Sequence, residues 1–346
     1  MGSVASSQSH DWFERLTGFK ESSYEETRSR LEIDGTKLRS RVNGCSYGIG
    51  ELELAPLKSL RDRQTADTKL QGKLKVNAIS GDVRHLHQFP AYAGALFQVA
   101  SQFNLLEMIS PNVTPEHGVT GYQTDRTQGP ACAIAAGAGT IYRNYFAPVD
   151  GSFGQTGTRQ LNGLADIGTA LSQALGLSVD ALWTMRNGYA LCSPEGLSAI
   201  GNYLKSLDES EKNVLRGLLR VGLHRDVEVT DADALPRPIV SQAYCSALPV
   251  RYTNIPAILW QPFAQLVLEA AYEATILAAL LNAERRISNV VLLTSLGGGA
   301  FGNNEDWIYA AMNRALKLAE GSNLDVKIVC YRTVSSETQK LVQAFA

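Results

Sequence analysis

Residues 289–304 read Asn289-Val-Val-Leu-Leu-Thr294-Ser-Leu-Gly297-Gly298-Gly299-Ala300-Phe301-Gly302-Asn303-Asn304, and a helical pattern follows through Trp307, Ala310, Ala311 and Leu316. An apolar, β-branched run that enters a glycine cluster and leaves as a helix predicts a strand, a tight loop and free backbone N–H groups at a helix N-terminus. Such groups form a natural seat for an anion. The ligand expected is a nucleotide or a nucleotide sugar. A Walker A loop is excluded, because Asn303 and Asn304 stand where Lys and Ser/Thr would follow the last glycine. Gly297, Gly299 and Gly302 have the G-x-G-x-x-G spacing of a dinucleotide fold, but that fingerprint opens a Rossmann domain, and only a strand at 325–332 and a short tail remain behind it. An NADP-dependent oxidoreductase is therefore the weaker reading. Glycines that serve only a tight turn and close helix packing are the bland one.

The chain of 346 residues suits one or two domains. Its 32 basic and 34 acidic residues leave a net charge of -2, which argues against a broad nucleic-acid surface. Cys45, Cys132, Cys192, Cys245 and Cys330 are scattered without a CxxC pair, and the histidines lack a metal spacing. A reduced, intracellular and cytoplasmic protein without metal or redox cofactor is expected. No charged segment followed by an apolar one opens the chain, so no signal peptide is expected. Gly2 and Ser6 fit an N-acylation pattern. One acyl chain without a basic cluster binds membranes only marginally, so no stable anchoring is expected. The apolar stretch 263–281 contains Gln265, Glu269 and Glu273 at helical spacing. It reads as a core helix with one functional or solvated edge rather than a membrane span.

The first seventy residues are polar, with a helical patch at 12–19 and a short strand at 50–54, and suggest an arm or lid over 1–72. Strands are expected at 73–79, 96–103, 227–230, 244–248, 290–295 and 326–331. Helices are expected at 130–145, 163–175, 179–185, 194–207, 210–219, 263–282 and 304–320. This alternation predicts a three-layer α/β/α sandwich with a mixed or parallel sheet over 73–346, interrupted by a helical insertion at about 150–224.

The wording of the glycine loop, Leu293-Thr-Ser-Leu-Gly297-Gly-Gly-Ala-Phe301-Gly302-Asn303, resembles the diphosphate-binding loop of macrodomains, in the version found in poly(ADP-ribose) glycohydrolases. The stretch from Phe263 through Tyr272 and Glu273 is similar to the long helix before that loop. Gly121-Tyr-Gln123-Thr124-Asp125 stands where the glycohydrolases carry Gly-x-x-Gln-Glu-Glu, and Phe97-Gln-Val-Ala-Ser-Gln102-Phe-Asn104 resembles the strand that brings an asparagine to the distal ribose. Thr124-Asp125 replaces the two adjacent glutamates. In this the chain is more similar to divergent effector-type macrodomains, and their eukaryotic relatives, that remove ADP-ribose from arginine on ubiquitin. The resemblance implies a macrodomain-like fold, ADP-ribose as ligand or product, a mono-ADP-ribosylated protein partner such as ubiquitin, and hydrolysis of an arginine-linked ADP-ribosyl bond. A catalytically silent reader of ADP-ribose would use the same pocket.

Cleavage of an ADP-ribosyl bond develops oxocarbenium character at C1 of the distal ribose, and a carboxylate stabilises that charge or activates water. Asp125 is the candidate, although an aspartate there would also cap the following helix. Glu116 and Asp306 are reserve carboxylates, and helix-dipole compensation is the simpler account of Asp306. Gln123 and Thr124 accompany Asp125 as ligand-binding candidates. Gln102 and Asn104 suit ribose hydroxyls, or a turn at a strand end. Gly297, Gly298, Gly299, Ala300, Gly302 and Asn303 would cradle the diphosphate, with Phe301 against the distal ribose or in the core. Asp82, in Gly81-Asp82-Val83, resembles the residue by which many macrodomains hold the adenine amino group.

Overall fold

In the computed structural model, which describes residues 11–64 and 71–346, seven strands form the central sheet. They are β1 (Glu51–Pro56), β2 (Lys75–Ser80), β3 (Leu96–Ala100), β4 (Arg220–Glu228), β5 (Ile239–Cys245), β6 (Val290–Leu293) and β7 (Asp325–Cys330), in the spatial order β1-β4-β5-β3-β6-β7-β2. β5, β3, β6, β7 and β2 are mutually parallel, whereas β4 runs antiparallel to both its neighbours. Helices cover both faces, so the chain forms the expected three-layer α/β/α sandwich with a mixed sheet. The acylation pattern at Gly2 and Ser6 lies outside the described residues.

Strand periodicity sends alternate residues to the two helical layers. Leu96, Val291, Leu293, Val326 and Ile328 face the long helix Ala257–Glu284, while Phe97, Val99 and Leu292 face the helices Val83–Leu86 and Gln128–Ala135. The long helix passes the length and hydropathy test for a membrane span, yet 83% of its most apolar window is buried inside the fold, as a core helix requires. Its polar stripe has a structural use instead of the functional or solvated one expected. Buried Glu273 accepts Arg61 Nε and Arg314 Nη1, both at 2.5 Å, and Glu269 accepts Arg216 at 2.7 Å. A buried carboxylate is tolerable only with such partners, and these pairs join Leu57–Arg63, Glu209–Gly217 and Glu305–Leu318 to the long helix.

The single helix expected at 130–145 is two, Gln128–Ala135 and Gly137–Tyr145, because Ala136 leaves helical geometry at φ -110° and ψ 56° and Thr230 Oγ1 takes the Gly137 N–H. The insertion is not helical throughout: Ser152–Phe153 pairs with Pro148–Val149, and the helix expected at 179–185 stops at Leu182, where an antiparallel hairpin, Trp183–Arg186 with Tyr189–Cys192, takes over. Asn187 and Gly188 both take positive φ, 46° and 80°, as a two-residue hairpin turn demands. β4 starts at Arg220, so the insertion ends before it and not at 224.

The boundary expected at residue 72 moves back to about residue 50. β1 and the helix Leu57–Arg63 belong to the sandwich: Ala55, Leu57 and Leu60 are fully buried, and their polar neighbours face out, where Glu53 pairs with Arg63 and Arg225. The true arm, before β1, builds a second core. Trp12, Phe13, Leu16, Phe19 and Tyr24 pack on Leu106, Met108, Val119, Tyr122, Ile134 and Tyr145, residues of the loops and helices beside the cleft described next.

Candidate active site

The carboxyl ends of β5, β3, β6, β7 and β2 open into one cleft of about 740 Å³. Ligands of open parallel sheets sit at this edge, and the volume lies in the range of small-molecule sites. Sheet order therefore orders the wall. Ala247 and Tyr252 follow β5, Ser101, Gln102 and Glu107 to Ile109 follow β3, the glycine loop follows β6 in the middle, Tyr331 and Ser335 follow β7, and Gly81 to Arg84 follow β2 at the far end.

The glycine loop is a cradle of backbone, closed by bonds of its own and by Leu248 and Arg251 beside it. Gly297, at φ 75°, could carry no side chain: a Cβ would lie 2.5 Å from Ala247 Cβ and 2.7 Å from Asn303 Nδ2. Buried Asn303 does not meet a ligand; its Nδ2 donates to Leu248 O at 2.8 Å and its N–H to Gly297 O at 2.9 Å, which closes the loop. Gly298 packs towards Ile308, and Gly302, at φ 70°, packs against Arg251, so both also lie outside the cleft wall. Gly297, Gly299, Ala300 and Phe301 line the cleft, and the N–H groups of Gly299, Ala300 and Phe301 have no acceptor among the described residues. The helix contributes less than the sequence suggested. It begins only at Glu305, the side chain of Asn304 already caps the Asp306 N–H at 2.8 Å, and Glu305 and Asp306 load its first turn with negative charge. Asp306 itself stays exposed, away from the cleft wall.

At the β3 end the structure corrects several expectations. Asn104 is fully buried and serves the turn: Oδ1 accepts the Leu106 N–H at 3.1 Å and Nδ2 donates to Gln160 at 2.9 Å. Gln102 lines the cleft, but its amide is spent on Met108, accepting the N–H at 2.8 Å and donating to the carbonyl at 3.3 Å. Thr124 bonds Gly121 O and Glu116 accepts the Gly157 N–H at 2.8 Å, both outside the cleft. Gln123 is exposed on the cleft wall. Asp125 is half-buried on that wall; its Oδ1 accepts the Thr127 N–H at 2.8 Å, a turn just before the Gln128–Ala135 helix.

Glu107, also on the cleft wall, was not foreseen. Its carboxyl oxygens are sealed from solvent without a hydrogen-bond partner. Arg143 Nη2 stands 3.7 Å away, beyond hydrogen-bond reach. The Arg143 guanidinium is committed to Leu105 O, Thr140 Oγ1, His224 Nδ1 and the face of Tyr244 at 3.8 Å. Burial outweighs this nearby cation and pushes the Glu107 carboxyl up to about 8, so it is protonated at neutral pH. Burial, aided by Arg143, takes His224 down to about 3, so the imidazole is neutral and Nδ1 accepts from the guanidinium. The signal in the sequence was one charge within Leu105-Leu106-Glu107-Met108-Ile109.

Tyr189, Tyr252 and Phe301 form an aromatic wall, with ring centroids 5.2 to 5.6 Å apart. Phe301 thus lines the cleft while packing on its neighbours. At the β2 end, Asp82 caps its own short helix through the Arg84 N–H at 2.8 Å and lines the cleft. Arg84 is held by Asp231 in two bonds of 2.6 and 2.7 Å. Arg126 is left as the cleft-lining cation without an ion pair among the described residues.

No protein-family model matches this chain, and no curated protein matches it. Among solved structures it is similar to poly(ADP-ribose) glycohydrolase from Thermomonospora curvata, at 12% identity over 93% of this chain and 96% of that one, with a TM-score of 0.43. It is also similar to poly(ADP-ribose) glycohydrolase from Deinococcus radiodurans in complex with ADP-ribose, at 13% identity over 85% of this chain and 92% of that one, with a TM-score of 0.43. Likeness at this level concerns the overall course of the chain and no residue of the cleft.

Proposed function

We propose that the protein hydrolyses ADP-ribosyl glycosidic bonds. One observation carries the chemistry: a buried carboxyl held protonated, Glu107, lines the same cleft as a half-exposed carboxylate, Asp125, beside a row of unpaired N–H groups. Two carboxyls in contrasting environments are what acid–base cleavage of a glycosidic bond needs. In the proposed step a water oxygen bonds to C1 of the distal ribose as the glycosidic bond breaks. The leaving atom takes its proton from Glu107, whose carboxyl must first turn out of its sealed seat into the cleft, and Asp125 takes one from the water. The diphosphate lies on the N–H groups of Gly299, Ala300 and Phe301, the distal ribose lies against the aromatic wall, and the base lies towards Asp82 and Tyr331.

The finer reading is a mono-ADP-ribosylated protein, arginine-linked, with ubiquitin as one such acceptor. It rests on Thr124-Asp125 in place of paired glutamates. Incubation with mono-ADP-ribosylated proteins of defined linkage and with poly(ADP-ribose), reading free ADP-ribose, tests both levels. Release from the arginine conjugate with little chain shortening is expected. Robust chain degradation with untouched arginine conjugates overturns the linkage, and tight ADP-ribose binding without release from any conjugate makes the protein a reader.

A further inference from the structure

One carboxylate of the arm binds the backbone that leads into the cleft-lining residues Gln123 and Asp125. Glu21 accepts the Val119 N–H at 2.8 and 2.9 Å and the Thr120 N–H at 2.7 Å, and Tyr145 Oη donates to it at 2.8 Å. Gly118 takes φ 79°, and a Cβ there would stand 2.3 Å from Glu21 Cδ, so the backbone approaches the carboxylate as closely as glycine permits. Thr120–Thr124 is a 3-10 turn whose preceding residue, Val119, offers no side-chain cap. Glu21 thus supplies from a distant segment the acceptor that a local cap residue supplies elsewhere. Trp12 Nε1 adds a bond to Thr120 O at 3.3 Å.

Through Tyr122 this turn bonds to the backbone of both carboxyl-bearing residues of the proposed site. The Asp125 N–H donates to Tyr122 O at 3.1 Å, and Tyr122 Oη accepts the Glu107 N–H, also at 3.1 Å. We infer that Glu21 is a positioning residue: it fixes the 120–124 turn, and through the turn the places of Asp125 and Glu107. The inference rests on the reading of the cleft as a hydrolytic site. It makes the arm part of the active enzyme, where the sequence suggested only a wrapping segment or lid.

Glu21→Ala and Glu21→Gln in the full chain, followed by amide hydrogen exchange, turnover and ADP-ribose affinity, test it. In Glu21→Ala, exchange over 119–125 should quicken while exchange over 294–301 stays as in the wild type. Turnover should fall at least about tenfold, a loss in keeping with displaced catalytic groups, and the ADP-ribose dissociation constant should change by less than about threefold. Glu21→Gln keeps one acceptor oxygen and should fall between Glu21→Ala and the wild type. Faster exchange with unchanged turnover overturns the positioning role and leaves the hydrolytic reading standing. Unchanged exchange overturns the clamp, and affinity lost in step with turnover in both variants shows a general structural role instead. A wild-type chain that hydrolyses no conjugate overturns the hydrolytic reading, whatever the exchange shows of the clamp.

Discussion

The glycine loop after β6 and the carboxyl-bearing loops after β3 face the same cleft, yet they are built in opposite ways. Residues 294–304 turn on bonds of their own, Asn303 N–H to Gly297 O and Gly298 N–H to Ser295 O, are fastened from outside by Leu248, Arg251 and Tyr272, and carry their free N–H groups consecutively in sequence. The carboxyl half is assembled from afar: Glu107 and Asp125 bond to Tyr122, Arg143 stands near Glu107, and Glu21 of the arm holds the Val119 and Thr120 N–H groups that lead into the turn. On the proposed reading, binding rests on N–H groups adjacent in sequence and chemistry on groups far apart in it. The two halves should be separable by mutation.

The largest effect is expected in the loop. A Gly299 Cβ would meet nothing within 4 Å, so Gly299→Ala should alter ADP-ribose affinity only slightly, whereas Gly299→Glu places a like charge beside the diphosphate and should weaken binding on the order of a hundredfold. Calorimetry on both variants checks this, with adenosine expected to bind far more weakly than ADP-ribose. Equal weakening by Ala and Glu would mean that the loop does not face the diphosphate. In the other half, Asp125→Ala should lower turnover by about a hundredfold while leaving ADP-ribose affinity nearly intact. Full turnover in a folded Asp125→Ala protein would leave Asp125 with its turn alone.

Smaller effects sharpen the contrast in stability. Gly297→Ala forces a Cβ into Ala247 at a positive φ and should cost about 1–3 kcal/mol in denaturant unfolding. Glu107 predicts a pH dependence of definite sign. Its folded-state pKa, about 8, lies above the ordinary carboxyl value, so between roughly pH 4.5 and 8 the unfolded chain has released a proton that the folded one keeps. Stability from this group therefore falls as pH rises through that window and levels off above it. Glu107→Gln should melt close to the wild type at pH 5 and a few degrees higher at pH 8. A gap that is the same at both pH values would show that Glu107 is already ionised in the fold.

The sequence made the sandwich legible wherever the pattern was local. The run at 290–295, the helix at 304–320 and the glycines could be read because strand, turn and helix signals adjoin. β4 was recognised only at its end, since Arg220, His224 and Arg225 interrupt its apolar pattern; His224 is buried beside Arg143, and Arg220 pairs with Asp166 from the insertion. Asn187-Gly188 carries the residues of a hairpin turn, and the helical spacing at 179–185 is realised only as far as Leu182, after which the chain is extended. Asn104 and Gln102 carry the right chemistry in the right place, and only the bonds they make inside their own loop show that they are occupied. Glu107 shows in the sequence only as one charge in an apolar run; it acquires its meaning from the cleft on one side and from Arg143, which does not come within hydrogen-bond distance, on the other.

The most direct test of this division is turnover and ADP-ribose affinity measured side by side on wild-type and Glu107→Gln protein, with a mono-ADP-ribosylated arginine conjugate as substrate. Gln replaces a protonated carboxyl with a neutral group of the same shape, so the fold and the cradle should persist. ADP-ribose should bind within about threefold of the wild type while release falls on the order of a hundredfold or more. A Glu107→Gln protein that releases ADP-ribose at the wild-type rate would contradict the assignment of the chemistry to this buried carboxyl.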